Sequence, residues 1–107
     1  MIKTIFFQNG GQFIGFESKG HANYAKANED DIVCAYHSGS CALAVNILTD
    51  VFMQKALIET DDGYLKFVLN NKNPSREVSG VLKGLYLHLE QLSEAYPSNV
   101  KVTVTEV

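Results

Sequence analysis

The segment IKTIFFQNGGQFIGFE, residues 2–17, decides the fold. Ile2–Phe7 and Gln12–Glu17 are β-branched and aromatic runs, and Gln8-Asn9-Gly10-Gly11 separates them. Asn-Gly and Gly-Gly accept the positive φ that tight hairpin turns require, so the chain opens on a β-hairpin. The same pattern returns where Ala56–Thr60 and Tyr64–Leu69 flank Asp61-Asp62-Gly63. Between the two hairpins, apolar residues recur at helical spacing from Ile32 to about Gln54: Val33, Tyr36, Ala44, Ile47, Leu48 and Val51. Further apolar residues fill the flanks of this stripe, which predicts a largely buried helix. Asp30-Asp31 just before it supplies an N-cap and complements the helix dipole.

Asn73-Pro74 is a start signal for a second helix, with proline at the first helical position. Its stripe is Val78, Val81, Leu82, Leu85, Leu89 and Leu92, and Pro97 marks where it must stop. Residues 100–107 then alternate at period two and predict a closing strand. The order ββ-α-ββ-α-β predicts an α+β fold, a mostly antiparallel sheet with two helices packed on it.

A length of 107 residues fits one domain, 1–107, with room for one core and not two. The hydrophobic fraction of 46% and charged fraction of 20% exclude disordered and low-complexity classes. Nine basic against twelve acidic residues give a net charge of −3, the wrong sign for a phosphate backbone. No direct nucleic-acid binding is expected, whereas a cationic peptide partner suits that charge. No apolar run reaches the roughly 18 residues of a membrane span, and no signal-peptide pattern opens the chain. Two cysteines, Cys34 and Cys41, within one helical stretch are too few for a disulfide framework. The expected compartment is the reducing cytoplasm.

The polar stretch from Ser18 to Asp31 has no clean periodicity and is long for a connection. It is expected to be mobile when empty and to close over a bound peptide, with Gly20 as hinge. Cys34 falls in the first turn after it, where free backbone N–H groups favour the nucleophilic thiolate. His21 lies on the loop and can fold back to take the thiol proton and return it to a leaving amine. The plainer reading makes Cys34 an inert small hydrophobe and His21 a surface residue. Asp31 likewise has two compatible readings, as helix cap or as orienter of the His21 imidazole.

Gly20-His21-Ala22, then Asp31-Ile32-Val33-Cys34-Ala35 and Ser38, resemble the ribosomal-processing cysteine protease family Prp (YsxB-like) over the whole chain. The resemblance implies a cysteine endopeptidase that removes an N-terminal extension from a large-subunit ribosomal protein and is typically a homodimer. By matching position Cys34 is the nucleophile, His21 the base, and Asp31 and Ser38 supporting residues. The His21–Cys34 spacing is one residue longer than the family pattern. Asn28 stands in for a glycine usual late in that loop, since asparagine tolerates left-handed backbone. Tyr36-His37 replace small residues of the family and, within a turn of the nucleophile, are expected to narrow the site. Gly20, Tyr24, Tyr36 and His37 are thus the expected substrate-binding residues.

Cys34, His37, Ser38 and Cys41 share one helix side, a stripe that also reads as a metal site. Structural zinc ligands usually join separate elements, so no metal or cofactor is expected. His37 is read as a rim or surface residue, because a base on the nucleophile's own helix has little freedom to swing. Cys41, among small residues, is read as core. The competing function is a non-catalytic ribosome-associated module that grips a peptide with the same loop.

Overall fold

The computed structural model describes residues 1–26 and 29–107; Asn28, expected to replace a glycine, lies outside the described residues. Two hairpins form, β1 (Ile2–Asn9) with β2 (Gln12–Lys19) and β3 (Ala56–Asp61) with β4 (Tyr64–Leu69). Gly10 and Gly63 take φ of 58° and 61° in the two turns, as turns of this kind demand. β5 (Val100–Glu106) lies parallel to β1, in register from Ile2↔Val100 to Gln8↔Glu106. The five strands run β3-β4-β2-β1-β5, with every pairing but that one antiparallel. The α+β order read from the sequence is the order of the molecule.

α2 (Arg76–Ala95) buries one stripe, Val78, Leu82, Leu85, Leu89 and Leu92, against the sheet. Truncating a buried leucine of such a stripe to alanine typically costs about 2–5 kcal/mol. The helix starts two residues later than expected, at Arg76 instead of Pro74. Ser75 is the cap, its hydroxyl accepting from Val78 N–H at 3.2 Å, and Pro74 precedes the helix instead of opening it. Beneath α2 an aromatic cluster forms, with Phe6 edge-on to Phe13 at 5.6 Å and to Tyr86 at 5.4 Å. Edge contacts of this kind contribute about 0.5–1.5 kcal/mol each beyond their buried area.

α1 (Ile32–Asn46) departs from expectation in burial and in length. A single π-helical turn, Ile47–Val51, continues it, with Phe52 N–H bonded to the Ile47 carbonyl at 2.9 Å. Only Val33, His37, Cys41 and Ala44, then Leu48, are buried, so the helix is not largely buried. The physical reason is geometric: its apolar residues run right round the cylinder, and one side alone can face a core. Ile32, Tyr36, Leu43 and Val51 are consequently exposed. Ile32–Val51 is also long and apolar enough, by length and composition, to cross a membrane, contrary to the sequence reading. Here its Val33–Leu48 side belongs to the core shared with the sheet and α2.

Candidate active site

α1 does not cover the β3–β4 edge, and the gap is a cavity of about 540 Å³. One wall is the α1 side bearing Cys34, His37, Ser38 and Cys41; the other is the β3–β4 hairpin from Ile58 to Leu65. Gly20 and His21 lie at its mouth. The topology explains the meeting. β2 delivers the chain to Gly20 beside the β3–β4 turn, where Gly20 N–H donates to the Gly63 carbonyl at 2.8 Å. From there the loop crosses to the N-terminus of α1.

Asp31 joins the start of that loop to the helix. Its Oδ1 accepts from the backbone N–H groups of Val33 and Cys34, both at 3.0 Å, as a helix cap does. Its Oδ2 accepts from Tyr24 N–H at 2.9 Å and Ala25 N–H at 3.3 Å. Those bonds, that from Cys34 N–H foremost, hold the Asp31 carboxyl below its usual range. With both oxygens on backbone donors, Asp31 ties loop to helix and does not hold the His21 imidazole. The same loop buries Ala22 completely, and Asn99 Nδ2 donates to the Ala22 carbonyl at 2.9 Å. Asn23 takes a left-handed φ of 54°, which asparagine tolerates. The loop expected to be mobile thus makes backbone hydrogen bonds at Gly20, Ala22, Tyr24 and Ala25 in this structure.

Cys34 is half-buried, third in α1, and Ala22 N–H donates to its Sγ at 3.2 Å. His21 is exposed; its Nε2 stands 3.8 Å from Asp62 Oδ2, and its ring lies against Gly63. Among the described residues no hydrogen bond joins His21 to Cys34. Ser38, a turn beyond Cys34, also lines the cavity.

His37 and Tyr36 sit elsewhere than the sequence suggested. His37 is no rim residue, being only 4% exposed on the cavity floor. Its Nε2 is 2.9 Å from Thr4 Oγ1 and its Nδ1 is 3.8 Å from Cys41 Sγ. Burial lowers the His37 pKa to about 4 and raises that of the Cys41 thiol to about 12. Thr4 Oγ1 donates onward to Ser18 Oγ at 3.4 Å, so it accepts from His37 Nε2–H, and Nδ1 is left to accept from the thiol. Tyr36 points out of the cavity and stacks on His88 of α2, ring centres 5.0 Å apart. Tyr24 is half exposed and edge-on to Tyr96 at 5.3 Å, also outside the cavity lining.

A thiol at a helix N-terminus, a backbone donor aimed at its sulfur and an imidazole at the same cavity mouth are the parts of thiol-based acyl transfer. The comparisons with known proteins agree with that chemistry. The model of a family described as cysteine protease Prp matches residues 1–101. The chain belongs to this family. No curated protein matches it. Among solved structures it is similar to an essential ribosomal processing protease Prp from S. aureus in complex with a covalently linked product peptide. Identity there is 23%, covering 98% of this chain and 100% of that one, with a TM-score of 0.87. The same S. aureus protein in complex with a substrate peptide gives a TM-score of 0.84 over the same shares, again at 23% identity. The Streptococcus mutans protein SMU.848 is 26% identical over 100% of this chain and 96% of that one, with a TM-score of 0.86.

Proposed function

We propose that this chain is a cytoplasmic cysteine endopeptidase that removes an N-terminal extension from a large-subunit ribosomal protein. Family membership supports the reaction class, and one local observation carries the assignment of residues. Cys34 sits in the first turn of α1 with Ala22 N–H on its sulfur, in a cavity whose mouth holds His21. Cys41, the other thiol, is buried and pushed to a pKa of about 12, which leaves it unfit as a nucleophile at neutral pH.

In this reading the Cys34 thiol gives its proton to His21, and the sulfur attacks the scissile carbonyl. Cys34 N–H is already taken by Asp31 Oδ1. Ala22 N–H, directed at the sulfur, is the donor this reading assigns to the oxyanion. Collapse of the tetrahedral intermediate breaks the peptide bond, and His21 returns the proton to the leaving amine. Water, deprotonated by His21, then splits the thioester and regenerates the thiol. Asp31 and Ser38 support the site, the first by fixing loop to helix. A net charge of −3 favours encounter with a basic ribosomal partner.

We propose that the working form is a homodimer, because Ile32, Leu43, Val51 and Met53 leave apolar surface uncovered on one chain. Light scattering at micromolar concentration should give twice the chain mass; a single chain mass would count against this. The reaction is tested by incubating the protein with the extended ribosomal protein of its own host. Mass spectrometry should then show a substrate shortened at its N-terminus. An intact substrate with Cys34 reduced would refute the assignment and favour a peptide-gripping module.

A further inference from the structure

Asp62 of the β3–β4 turn lies 41 residues from His21 in sequence, yet the turn meets both Gly20 and the His21 ring. Gly20 N–H donates to the Gly63 carbonyl at 2.8 Å, which anchors the backbone just before the base. The His21 ring lies so close over Gly63 that a Cβ there would come within 2.8 Å of Nε2. Asp62 Oδ2 faces the same nitrogen at 3.8 Å, an ion-pair distance once the ring is charged. Gly10 is the contrasting case, with a like φ of 58° in the other hairpin turn and nothing within 4 Å of an added Cβ.

We propose that Asp62 and Gly63 are positioning residues for His21, a seat that holds Nε2 toward the turn and leaves Nδ1 to exchange the proton with Cys34. An imidazole has two nitrogens, and only one can face the thiol. A carboxylate beside Nε2 favours the tautomer with its proton there, so the Nδ1 lone pair is free to act as base. When Nδ1 takes the Cys34 proton, the imidazolium finds Asp62 at its opposite edge. Gly63 contributes by what it lacks: any side chain would push the ring off the seat. The proposal rests on the protease reading above and adds to it a residue pair outside the loop and helix that carry the nucleophile and base.

The test compares Gly63→Asn with Gly10→Asn. Asparagine tolerates left-handed backbone, so both substitutions load their turns alike, and only the first adds a Cβ against His21. Two readouts are taken on the full chain: ¹⁵N shifts of the His21 ring, which report the tautomer, and steady-state kinetics on an extended ribosomal protein. The expected result is an Nε2–H tautomer in the parent and in Gly10→Asn, and a displaced ring resonance in Gly63→Asn. Its kcat should fall at least roughly 10-fold, with KM within about twofold, the signature of a misaligned base. Asp62→Asn should shift the tautomer balance with a smaller loss, roughly threefold because the pair is solvent-exposed, and Asp62→Glu should restore it. An unchanged ring resonance in Gly63→Asn, or an equal loss of kcat in Gly10→Asn, would overturn the seat. A parent that shows the Nε2–H tautomer yet cleaves nothing would instead overturn the protease reading, and with it any role of the seat in catalysis.

Discussion

One cavity holds two cysteine–histidine pairs of the same composition and opposite character. Cys34 and His21 stand at its mouth, the thiol half-buried and the imidazole exposed. Cys41 and His37 form its floor, where both are almost wholly withdrawn from water. Spacing on the helix does not separate the pairs, for Cys34, His37 and Cys41 share one face of α1. Solvent does. Charged forms are disfavoured where water is excluded, so the floor pair stays neutral, with His37 at about 4 and Cys41 at about 12. A thiol that does not ionise and an imidazole that does not accept a proton are structural groups, whatever their resemblance to a catalytic pair. Their polar atoms are spent on each other and on Thr4.

The sharpest way to break this contrast is to remove each sulfur in turn. Cys34→Ala should abolish cleavage while leaving thermal unfolding nearly unchanged, and Cys41→Ser should keep most of the activity. A reversed pattern in a mass-spectrometric cleavage assay would move the nucleophile to the floor. Next in size is the histidine pair. His21→Ala should lower kcat/KM by at least roughly 100-fold, in the range of general acid–base catalysis. His37→Ala should act on stability instead, costing about 2–3 kcal/mol through the cavity and the lost Thr4 partner, as read by urea unfolding.

Acid should expose the floor pair in another way. The folded-state pKa of His37, about 4, lies below its ordinary 6.5, so the unfolded chain binds the extra proton first. Stability is therefore full above pH 6.5 and falls as pH drops toward 4, by on the order of 3 kcal/mol from this group. His37→Gln should flatten the fall between those limits; an unchanged slope would place the titration elsewhere. The smallest expected effect concerns the loop joining mouth to helix. Amides of Ala22, Tyr24 and Ala25 should be protected from hydrogen exchange even without substrate, since each donates to Cys34 or Asp31. Fast exchange at all three would restore the mobile gate that the loop's polarity suggested.

Much of the frame was legible because it is written in local terms. Asn9-Gly10-Gly11, Asp61-Asp62-Gly63 and the leucine stripe of α2 each specify their own geometry within a few residues. The helical capping by Asp31 was legible for the same reason. α1 was misjudged because a helix apolar on every side gives no phase, and periodicity then cannot name the buried face. That ambiguity carried over to Tyr36, which faces α2, and to His37, which faces Thr4 of β1. The Asp62–Gly63 contact was beyond local reading, since those residues served fully as turn formers. The one available signal was strand pairing: if β4 joins β2 antiparallel, its turn must lie beside Gly20.

The parallel pairing of β1 with β5 has a consequence for when the molecule becomes competent. Residue 2 pairs with residue 100, so the two strands are made 98 residues apart. The two hairpins and α2 can form from near neighbours during synthesis, but the β1–β5 ladder must wait until residues 99–106 have left the ribosome. Asn99, which bonds both Ile2 N–H and the Ala22 carbonyl, arrives just ahead of β5. Contacts so distant in sequence are slow to form, because chain entropy is lost before they repay it. Ribosome-held chains stalled before and after residue 99 has emerged should differ in protection of the Ala22 amide, and equal protection would refute this order of events. In this order of assembly the loop that carries His21 gains its bond to Asn99 only after β5 is made.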